Sequence, residues 1–242
     1  MISDVDPRAA QGRPVGRRIV LGMLGLGAVG VVAGRRLLDA EQGLLAPIQL
    51  RDPTGLSGLV PAGAGFRFYS VTGGQPERSA ADYRLTVGGL VDRPVTLSLA
   101  DLGVLPQQTL VRDFQCVTGW RVPKVPWSGV RVADLLEQAG VAAGARAVRF
   151  TSFDGTYSES LTLDQARRRD VLVTTHMLGG PVSRAHGGPV RLFVAPMYGY
   201  KSLKWLGGIE LTKQVVPGYW EELGYDVDAW VGRSNGRGDD PT

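Results

Sequence analysis

The sequence predicts a single α+β domain, built on a mixed or barrel-like sheet with a few short helices. Segments of alternating or continuous apolar character, typical of strands, recur along the chain and are separated by Gly, Pro and Asp-Gly turns. Helical spacing or a helix-capping residue is confined to short stretches between them. With 242 residues and 43% hydrophobic content, the chain is long enough for one sizeable core and short for two.

Residues 1–36 have the layout of a twin-arginine export signal or a membrane anchor. Arg17 and Arg18 stand directly before an apolar, glycine-containing run over residues 19–33. That run is shorter than the ~20 residues of a spanning helix, but a second arginine pair follows it and can snorkel. Because no clear small-residue cleavage site follows, an uncleaved anchor stays open. We expect an exported, periplasmic or otherwise extracytoplasmic protein, either released or membrane-anchored through residues 17–36.

The net charge of +4 is located in this N-terminal segment, which carries six arginines against two aspartates. The remaining chain has 21 basic and 21 acidic side chains and therefore no bulk positive charge. The basic run Arg167–Arg169 fits a solvated helix end better than a binding patch. The sequence thus indicates no nucleic-acid partner.

Composition divides the rest of the chain into a linker, a domain and a tail. Residues 37–65 are predicted to be a Gly- and Pro-punctuated linker, residues 66–222 the folded domain, and residues 223–242 a loosely held polar tail. The expected elements, in chain order, are a strand or extended site wall at 66–71, a strand at 83–88, a short strand and a helix capped by Ser98, a helix over 130–139 stopped by Gly140, a strand in 145–155 ending in an Asp-Gly turn, a helix capped by Thr162, and strands within 171–178, 189–196 and 204–213.

The stretch Asp113 to Val130, DFQCVTGWRVPKVPWSGV, contains Cys116, the only cysteine of the chain. Its glycines and prolines predict a loop-rich run, with Trp120 and Trp127 near the thiol. A lone cysteine is most often a small buried hydrophobe. In an exported protein, however, a single thiol cannot form an internal disulfide, so it is expected to be ligated, buried or reactive. A soft sulfur on a rigid loop suits a metal ligand or a nucleophile.

The Cys116 stretch resembles the molybdopterin-binding domain of the sulfite oxidase family, in which the cysteine of a D-F-x-C-x-x-G-W-like segment binds molybdenum. Further segments resemble that family in the same order and spacing: DGTYSESLTLDQA (154–166), DVLVTTHMLGGPVSRAHGGPVRLFVAP (170–196) and YGYKSLKWLGGIEL (198–211). The resemblance implies the sulfite-oxidase molybdopterin-binding fold and a molybdenum–molybdopterin cofactor, with Cys116 as the metal ligand.

The resemblance also assigns cofactor contacts. His186 and Arg191 match the histidine and arginine of the family's H-G-x-P-x-R motif, and a guanidinium offers phosphate a bidentate fork. Lys201 matches the lysine of a G-x-K motif at the pterin phosphate. The other candidates are Gly199, Tyr200 and Lys204 in the same segment, Tyr69 and Ser70 in a weaker match to an N-terminal cofactor wall, and Ser152, or Thr151 in its place, at a hydroxyl position. His176 is expected to be packed mid-strand, without a role.

Arg121 and Cys116 are the predicted catalytic residues. Arg121 also indicates which kind of small molecule is the substrate. It matches an arginine that lines the anion pocket of sulfite oxidases and is not arginine in bacterial sulfoxide-reducing relatives, which favours an oxyanion. Against this, an aromatic residue stands near Tyr69 where a second pocket arginine is expected, and a third belongs to a C-terminal domain without a counterpart here. With no fused haem segment, electrons are expected from a separate partner, either a membrane haem protein or a quinone-linked one.

Together with the N-terminal segment, the resemblance implies an envelope oxidoreductase that catalyses oxygen-atom transfer on a small S- or N-oxide by sulfoxide reduction, similar to bacterial methionine-sulfoxide reductase catalytic subunits. Sulfite oxidation is the alternative reaction. The alternative of another class is a non-catalytic envelope domain that has lost the metal, although retention of Cys116, Arg191 and Lys201 favours the enzyme. A thiol-hydrolase dyad of Cys116 with His186 is disfavoured, because no cysteine-hydrolase signature surrounds the thiol.

Overall fold

The computed structural model describes residues 66–68, 70–71, 74–236 and 238. The predicted export signal, the linker and Tyr69 lie outside the described residues. Within them the chain forms strands and short helices, which confirms the mixed α+β class. The strands divide between two five-stranded sheets, whereas the sequence had suggested one. Alternating patterns identify strands but do not specify their partners, so the number of sheets could not be read from them.

The first sheet contains the first and last strands of the described chain. Its strands are β1 (Arg84–Gly89), β2 (Val95–Ser98), β5 (Ala147–Ser152), β6 (Ser158–Thr162) and β10 (Leu206–Thr212). They lie in the order β2-β1-β10-β5-β6, with β1 parallel to β10 and the other neighbours antiparallel. The predicted Asp-Gly turn joins β5 to β6, and Gly155 has the positive φ of 73° that such turns favour.

The second sheet carries the cysteine and the candidate phosphate-binding arginine. Its strands are β3 (Gln108–Gln115), β4 (Arg121–Arg131), β7 (Val171–Met177), β8 (Gly180–Pro181) and β9 (Arg191–Val194). The neighbours β3, β4 and β7 are antiparallel, and β7 pairs with β9 along its first residues and with β8 at its end. Cys116 thus lies at the turn of the β3-β4 hairpin, and Arg191 starts a strand two positions away in the same sheet.

Short helices connect the strands, namely α1 (Leu99–Val104), α2 (Val132–Ala139) and α3 (Leu163–Ala166). Ser98 and Thr162 cap α1 and α3 through capping boxes with Asp101 and Gln165, each cap contributing about 1 kcal/mol. Gly140 ends α2 at a φ of 72°, as predicted. Among the described residues, no helix is long and apolar enough to cross a bilayer.

Apolar side chains pack on both faces of the second sheet. The main core combines residues of both sheets with the buried face of α2, for example Phe150, Val173 and Leu136. A second core lies on the opposite face of β7 and β9, where the rings of Trp127 and Phe193 stack with centroids 3.9 Å apart. Burying a large apolar side chain contributes about 1.5–3 kcal/mol, so this second core holds the β3-β4 hairpin firmly in place.

The predicted loop-rich stretch from 113 to 130 is mostly strand, which corrects the sequence-based interpretation. Only residues 116–120 form the turn, and β4 runs through both prolines. Pro123 lies beside an irregularity of the ladder, where the register shifts between Arg112 and Phe114 and Lys124 has a φ of 53°. At such a bulge the missing N–H of proline costs no ladder hydrogen bond, so Pro123 is compatible with a strand here, whereas Pro126 pairs in register with Val111.

For the residues described, the structure favours the site wall over the strand at 66–71 and differs from the expectation of a loosely held tail. Residues 66–68, 70 and 71 form no strand, although Phe66 and Phe68 do line the site by packing on His186 with centroids 4.7 and 4.8 Å away. The described part of the predicted tail, residues 223–236 and 238, is here called the C-terminal segment, and it is packed and not loosely held. Ala229 and Val231 are buried, and the Ala229 carbonyl accepts from the Tyr198 N–H at 2.8 Å. Its polar, glycine-rich composition concealed these few apolar anchors.

Candidate active site

Cys116 opens the five-residue turn between β3 and β4 and is half-buried. Its N–H donates to the Trp120 carbonyl at 2.9 Å, and the Gly119 N–H donates back to the Cys116 carbonyl at 3.0 Å. Gly119 has a φ of 98°, a conformation that glycine adopts without strain. The turn is therefore closed by its own backbone, which fixes the thiol at the end of a long hairpin.

Aromatic rings pack beside this turn. Phe66, Phe114, Trp120 and Trp127, here called the aromatic cluster, contact one another with ring centroids 5.2–6.3 Å apart. The arrangements are tilted or edge-to-face, which aromatic pairs prefer. Phe66 also contacts His186. The aromatic cluster therefore joins the thiol-bearing turn to the segment that contains the predicted cofactor histidine.

Arg191 is a buried cation, only 3% exposed. Its guanidinium donates to the carbonyls of His186 at 2.7 Å and Ser202 at 2.9 Å, and lies 5.5 Å from the ring centroids of Phe114 and Trp127. No carboxylate of the described chain forms an ion pair with it. Burial lowers the pKa of Arg191 to about 9. Because an uncompensated buried charge is costly, this cation indicates a site for an anion.

Lys204 and His186 lie beside Arg191, and the three together are called the basic cluster. Burial and the charge of Arg191 lower the pKa of Lys204 to about 7. Burial, with Arg191 and Lys204 adding to it, lowers the pKa of His186 to about 4, so the imidazole is neutral at physiological pH. Gly187 permits this approach, because a Cβ there would lie 2.5 Å from Lys204 Cβ. A bound anion would oppose these shifts, because its charge favours the protonated forms of Lys204 and His186.

A buried acceptor directly precedes the thiol. Gln115 is 7% exposed, and its Oε1 has no hydrogen-bond partner within the described chain. Leaving such a group unsatisfied costs about 1–3 kcal/mol. Gln115 therefore provides an acceptor for a ligand that donates hydrogen bonds next to Cys116.

Lys201 is not part of the basic cluster. It is fully buried and forms ion pairs with Glu159, at 2.9 Å, and with Glu221. Glu221 in turn accepts from the Gly218 N–H. The lysine that the resemblance assigned to the pterin phosphate is thus engaged by two carboxylates in this structure. Lys201 therefore connects the 3₁₀ turn Gly199–Lys201 to β6 through Glu159, and to the segment after β10 through Glu221.

The hydrogen bonds around Glu159 indicate that it carries a proton. The Tyr157 hydroxyl lies 2.9 Å from Glu159 Oε1 and 2.8 Å from the Tyr200 carbonyl oxygen. A hydroxyl has one hydrogen and a carbonyl can only accept, so both contacts are satisfied when protonated Glu159 donates to the hydroxyl. Burial raises the pKa of Glu159 to about 8, although Lys201 opposes this. The buried cluster is then neutral, with Lys201 paired to ionised Glu221.

Arg121 begins β4 beside the thiol-bearing turn, and its charge is compensated within the hairpin. Its Nε lies 2.9 Å from Asp113 Oδ2, and its side chain is 44% exposed. Asp113 also accepts from the Lys124 N–H at 2.8 Å. Exposed ion pairs contribute only about 0–1 kcal/mol, so the pair can open. In this conformation, however, Arg121 does not present an uncompensated cation to a substrate.

Gly199 and Tyr200 have internal partners in the described structure. A Cβ on Gly199 would lie 2.4 Å from Phe114 Cζ, so glycine is required there for the 3₁₀ turn to pack on the aromatic cluster. The Tyr200 hydroxyl donates to the Asp226 carbonyl at 2.6 Å and accepts from Asn235 Nδ2 at 3.0 Å. These contacts position the turn and anchor the C-terminal segment.

The candidate hydroxyl groups outside these turns are also engaged with protein atoms. Ser152 is 3% exposed, donates to Asp154, and accepts from the Tyr157 N–H at 3.0 Å, which shapes the β5-β6 turn. Ser70 donates to the Gly74 carbonyl at 2.6 Å. Direct cofactor contacts by Ser70 and Ser152 stay predictions.

His176 differs from its expectation, because it is exposed on β7 and not packed. It lines a groove of about 410 Å³ together with Thr109, Trp127 and Ser128, and none of the predicted site residues lines that groove. The neighbouring side chain of β7, Thr175, has its Oγ1 3.0 Å from His176 Nδ1. Among the residues that the structure describes, no lysine, arginine or carboxylate lines the groove, and Trp127 belongs both to its wall and to the aromatic cluster.

Sequence reasoning missed several residues that build the site. Phe114 was not assigned to its aromatic wall, and Glu159 and Glu221 were not recognised as partners of Lys201. A sequence signal for the burial of Glu159, such as an apolar strand pattern around it, is missing, because β6 reads SESLT with a single apolar residue. Glu221 comes from a segment distant in sequence and carried no such signal.

Comparison with known proteins identifies the family. Residues 72–220, more than half of the chain, match the family described as oxidoreductase molybdopterin binding domain. The chain belongs to this family. It is therefore an oxidoreductase, and the relationship to the sulfite oxidase family that its motifs indicated is confirmed.

Relatives with similar sequences carry different names, and two of those names state an activity. The chain is 38% identical over 150 residues to the uncharacterized oxidoreductase YuiH of Bacillus subtilis, covering 61% of this chain and 75% of YuiH. It is 30% identical over 179 residues to sulfite oxidase of Arabidopsis thaliana, covering 60% and 46%. It is also 30% identical over 156 residues to the protein-methionine-sulfoxide reductase catalytic subunit MsrP of Campylobacter jejuni, covering 58% and 52%. The chain thus spans about half the length of the latter two.

A solved structure supports the fold of this molybdopterin-binding family. The sulfane dehydrogenase SoxCD from Paracoccus pantotrophus matches with a TM-score of 0.55 and 23% sequence identity, covering 60% of this chain and 41% of that chain. At this identity the match shows a common fold. The α+β architecture is therefore shared with that structure over the matched part of the chain.

Proposed function

We propose that this protein binds a molybdenum–pterin cofactor and reduces a small S- or N-oxide, most favourably a sulfoxide. The observation that carries the proposal is the buried, uncompensated guanidinium of Arg191 beside the aromatic cluster that supports the Cys116 turn. A phosphate-bearing cofactor supplies the missing anion. Family membership supports the same assignment, because its members are defined by binding molybdopterin.

The chain's residues fit such a cofactor. The basic cluster would hold the phosphate through Arg191 and Lys204, the unpartnered Gln115 Oε1 would accept from a donor on the ring system, and Cys116 would bind the metal. Among the described residues, no group of three or more His, Cys, Asp or Glu side chains could hold a metal. Cys116 would therefore be the protein's soft ligand, with the remaining ligands brought by the cofactor.

Replacing Cys116 by serine is expected to abolish turnover and to lower the molybdenum content of the purified protein, because a hydroxyl is a poor ligand where a thiolate is required. Metal analysis and reduction of a sulfoxide with an artificial electron donor measure both effects. The midpoint of thermal unfolding should change little, since the turn is closed by backbone hydrogen bonds. Full activity in Cys116→Ser would refute the cofactor assignment.

The proposed reaction consumes two electrons and two protons. The S–O bond of the sulfoxide breaks, sulfur keeps the electron pair, and the oxygen leaves as water. When bound, the molybdenum supplies the two-electron chemistry at the oxygen atom. The chain's part is to hold that centre, to orient the substrate against the aromatic cluster, and to accept electrons from the separate partner that we also propose.

The pairing of Arg121 with Asp113 supports a neutral sulfoxide over sulfite. An anion-binding pocket requires an uncompensated cation, and here the carboxylate lies 2.9 Å from the guanidinium nitrogen. Sulfite oxidation stays the second candidate, because an exposed ion pair opens at low cost and sulfite oxidase is among the relatives. The alternative of a metal-free domain is opposed by retention of Cys116 and of the basic cluster.

Replacing Arg121 by alanine distinguishes the two substrates. For sulfoxide reduction we expect kcat/KM to change less than about threefold, because a neutral substrate gains little from a compensated cation. If sulfite is the substrate, the loss of a charge-assisted hydrogen bond, about 1.5–3 kcal/mol, raises KM about ten- to hundredfold. Asp113→Ala is the matched control. Steady-state assays with methionine sulfoxide and with sulfite distinguish the two substrates. A loss of kcat/KM that is confined to sulfite would contradict the reductase proposal.

We further propose export through the twin-arginine route, with residues 17–36 either cleaved or retained as an anchor. The support is the sequence of this segment, which lies outside the described residues. Replacing Arg17 and Arg18 by lysine is expected to retain the protein in the cytoplasm, as measured by cell fractionation. Lysine at Arg35 and Arg36 is the matched control and should leave export unchanged. Normal export of the first variant would indicate another route.

A further inference from the structure

The Cys116 turn contains one hydroxyl group, that of Thr118. Thr118 Oγ1 lies 3.3 Å from Cys116 Sγ, which is the distance of an O–H···S hydrogen bond. Both residues belong to the same closed turn, in which the Cys116 N–H and the Gly119 N–H are bonded to backbone carbonyls. The contact is therefore held by a rigid local structure.

The direction of this hydrogen bond follows from the chemistry of the sulfur. A cysteine that ligates a metal does so as the thiolate, which has no hydrogen and can only accept. In the metal-loaded protein, Thr118 must therefore donate to Cys116. Hydrogen bonds to an ionised acceptor are roughly twice as strong as neutral ones, so the contact strengthens when the sulfur carries charge.

The Thr118 side chain does not serve the core. It is exposed, so its methyl group adds little to packing, whereas Phe114 and Trp120 nearby supply the apolar contacts of the hairpin. A β-branched side chain also has few χ1 rotamers, which limits the positions that the hydroxyl can take. Position and chemistry both indicate that the hydroxyl acts on the sulfur.

We propose that Thr118 is a positioning residue that orients Cys116 Sγ and withdraws charge from it, an inference that rests on the molybdenum–pterin function proposed above. Donation to a ligand sulfur lowers its ability to give electron density to the metal. Hydrogen bonds to ligand sulfurs adjust reduction potentials in iron–sulfur centres in the same way. Thr118 would thus set how readily the centre accepts electrons from the partner.

The test uses the holoprotein with variants that separate shape from hydroxyl. Thr118→Val keeps the β-branched shape and lacks the donor, whereas Thr118→Ser keeps the donor. Thr109→Val, at an exposed threonine of β3, is the matched control. Each protein is measured for molybdenum content, for the energy of the thiolate-to-molybdenum absorption band, and for the midpoint potential of the metal.

We expect the band of Thr118→Val to move to lower energy and the potential to become more negative, because the unbonded thiolate is the better electron donor. Thr118→Ser and Thr109→Val should match the parent. A lower molybdenum content in Thr118→Val that serine restores would also support the proposal.

Each contrary outcome has a distinct meaning. Full molybdenum content with an unshifted band and potential in Thr118→Val would overturn the role of Thr118 and leave the proposed function intact. A parent protein without molybdenum would overturn the proposed function and this inference with it. If valine destabilises the turn, Thr118→Ala, which also lacks the hydroxyl, must show the same shift, and an unshifted alanine variant overturns the inference.

Discussion

Replacing Arg191 by methionine is expected to weaken binding of the molybdenum–pterin cofactor about ten- to hundredfold. Each charge-assisted hydrogen bond contributes about 1.5–3 kcal/mol, and every 1.4 kcal/mol is tenfold in affinity. Stability of the cofactor-free protein should change little. The carbonyls of His186 and Ser202 lose a donor, but a desolvated charge without a carboxylate partner in the described chain is removed at the same time.

The measurement is reconstitution of cofactor-free protein with isolated cofactor, followed by thermal unfolding of the same samples. Arg131→Met is the matched control, because Arg131 is half-buried but forms an ion pair with Asp134 at 3.1 Å. Its affinity for the cofactor should stay within about twofold of the parent. Unchanged affinity in Arg191→Met, or an equal loss in both variants, would show that Arg191 is not the phosphate ligand.

Replacing Lys201 by methionine is expected to destabilise the protein by about 3–5 kcal/mol, because a buried carboxylate then loses its cation. Lys201 is fully buried between Glu159 and Glu221, so no solvent can compensate the loss. The double variant Lys201→Met/Glu221→Gln removes both charges and should recover most of the stability. Urea unfolding measures both effects.

The same variant also tests the assignment of Lys201 to the pterin phosphate. If Lys201→Met left the stability of the cofactor-free protein intact and weakened cofactor binding as Arg191→Met is expected to do, the lysine would be a phosphate ligand after all. The ion cluster seen here would then be secondary. A large loss of stability with unchanged affinity in the refolded fraction supports the structural role.

The pH dependence of stability should reveal the protonated state of Glu159. Its pKa in the folded protein is raised from 4.5 to about 8, mainly by burial. Because folding makes Glu159 easier to protonate, its protonation contributes to stability, and this contribution is fully present below pH 4.5, the pKa in the unfolded chain. The contribution is lost as the pH rises towards 8, the pKa in the folded protein. Glu159→Gln cannot ionise, so its stability should decline less over that range. Parallel slopes in urea unfolding between pH 5 and 8.5 would contradict the assignment.

Local features of the fold were readable from the sequence because they depend on neighbours in the chain. Ser98 and Thr162 cap helices through residues three positions ahead, and Gly140 ends a helix by its own backbone freedom. The strand patterns of β1, β5, β7, β9 and β10 were likewise local. The segment 113–130 was misread because prolines predict loops, and only pairing with β3 and β7 makes it a strand.

By itself the sequence determined the α+β class, the family and the identity of the unusual thiol, since motif order and spacing are properties of the covalent chain. Only the tertiary structure decided which charged groups are compensated. Asp113 pairs with Arg121, and Glu159 and Glu221 pair with Lys201, whereas Arg191 has no such carboxylate in the described chain. A motif fixes the charge of a side chain, but the energy of that charge depends on burial and on partners brought together by folding.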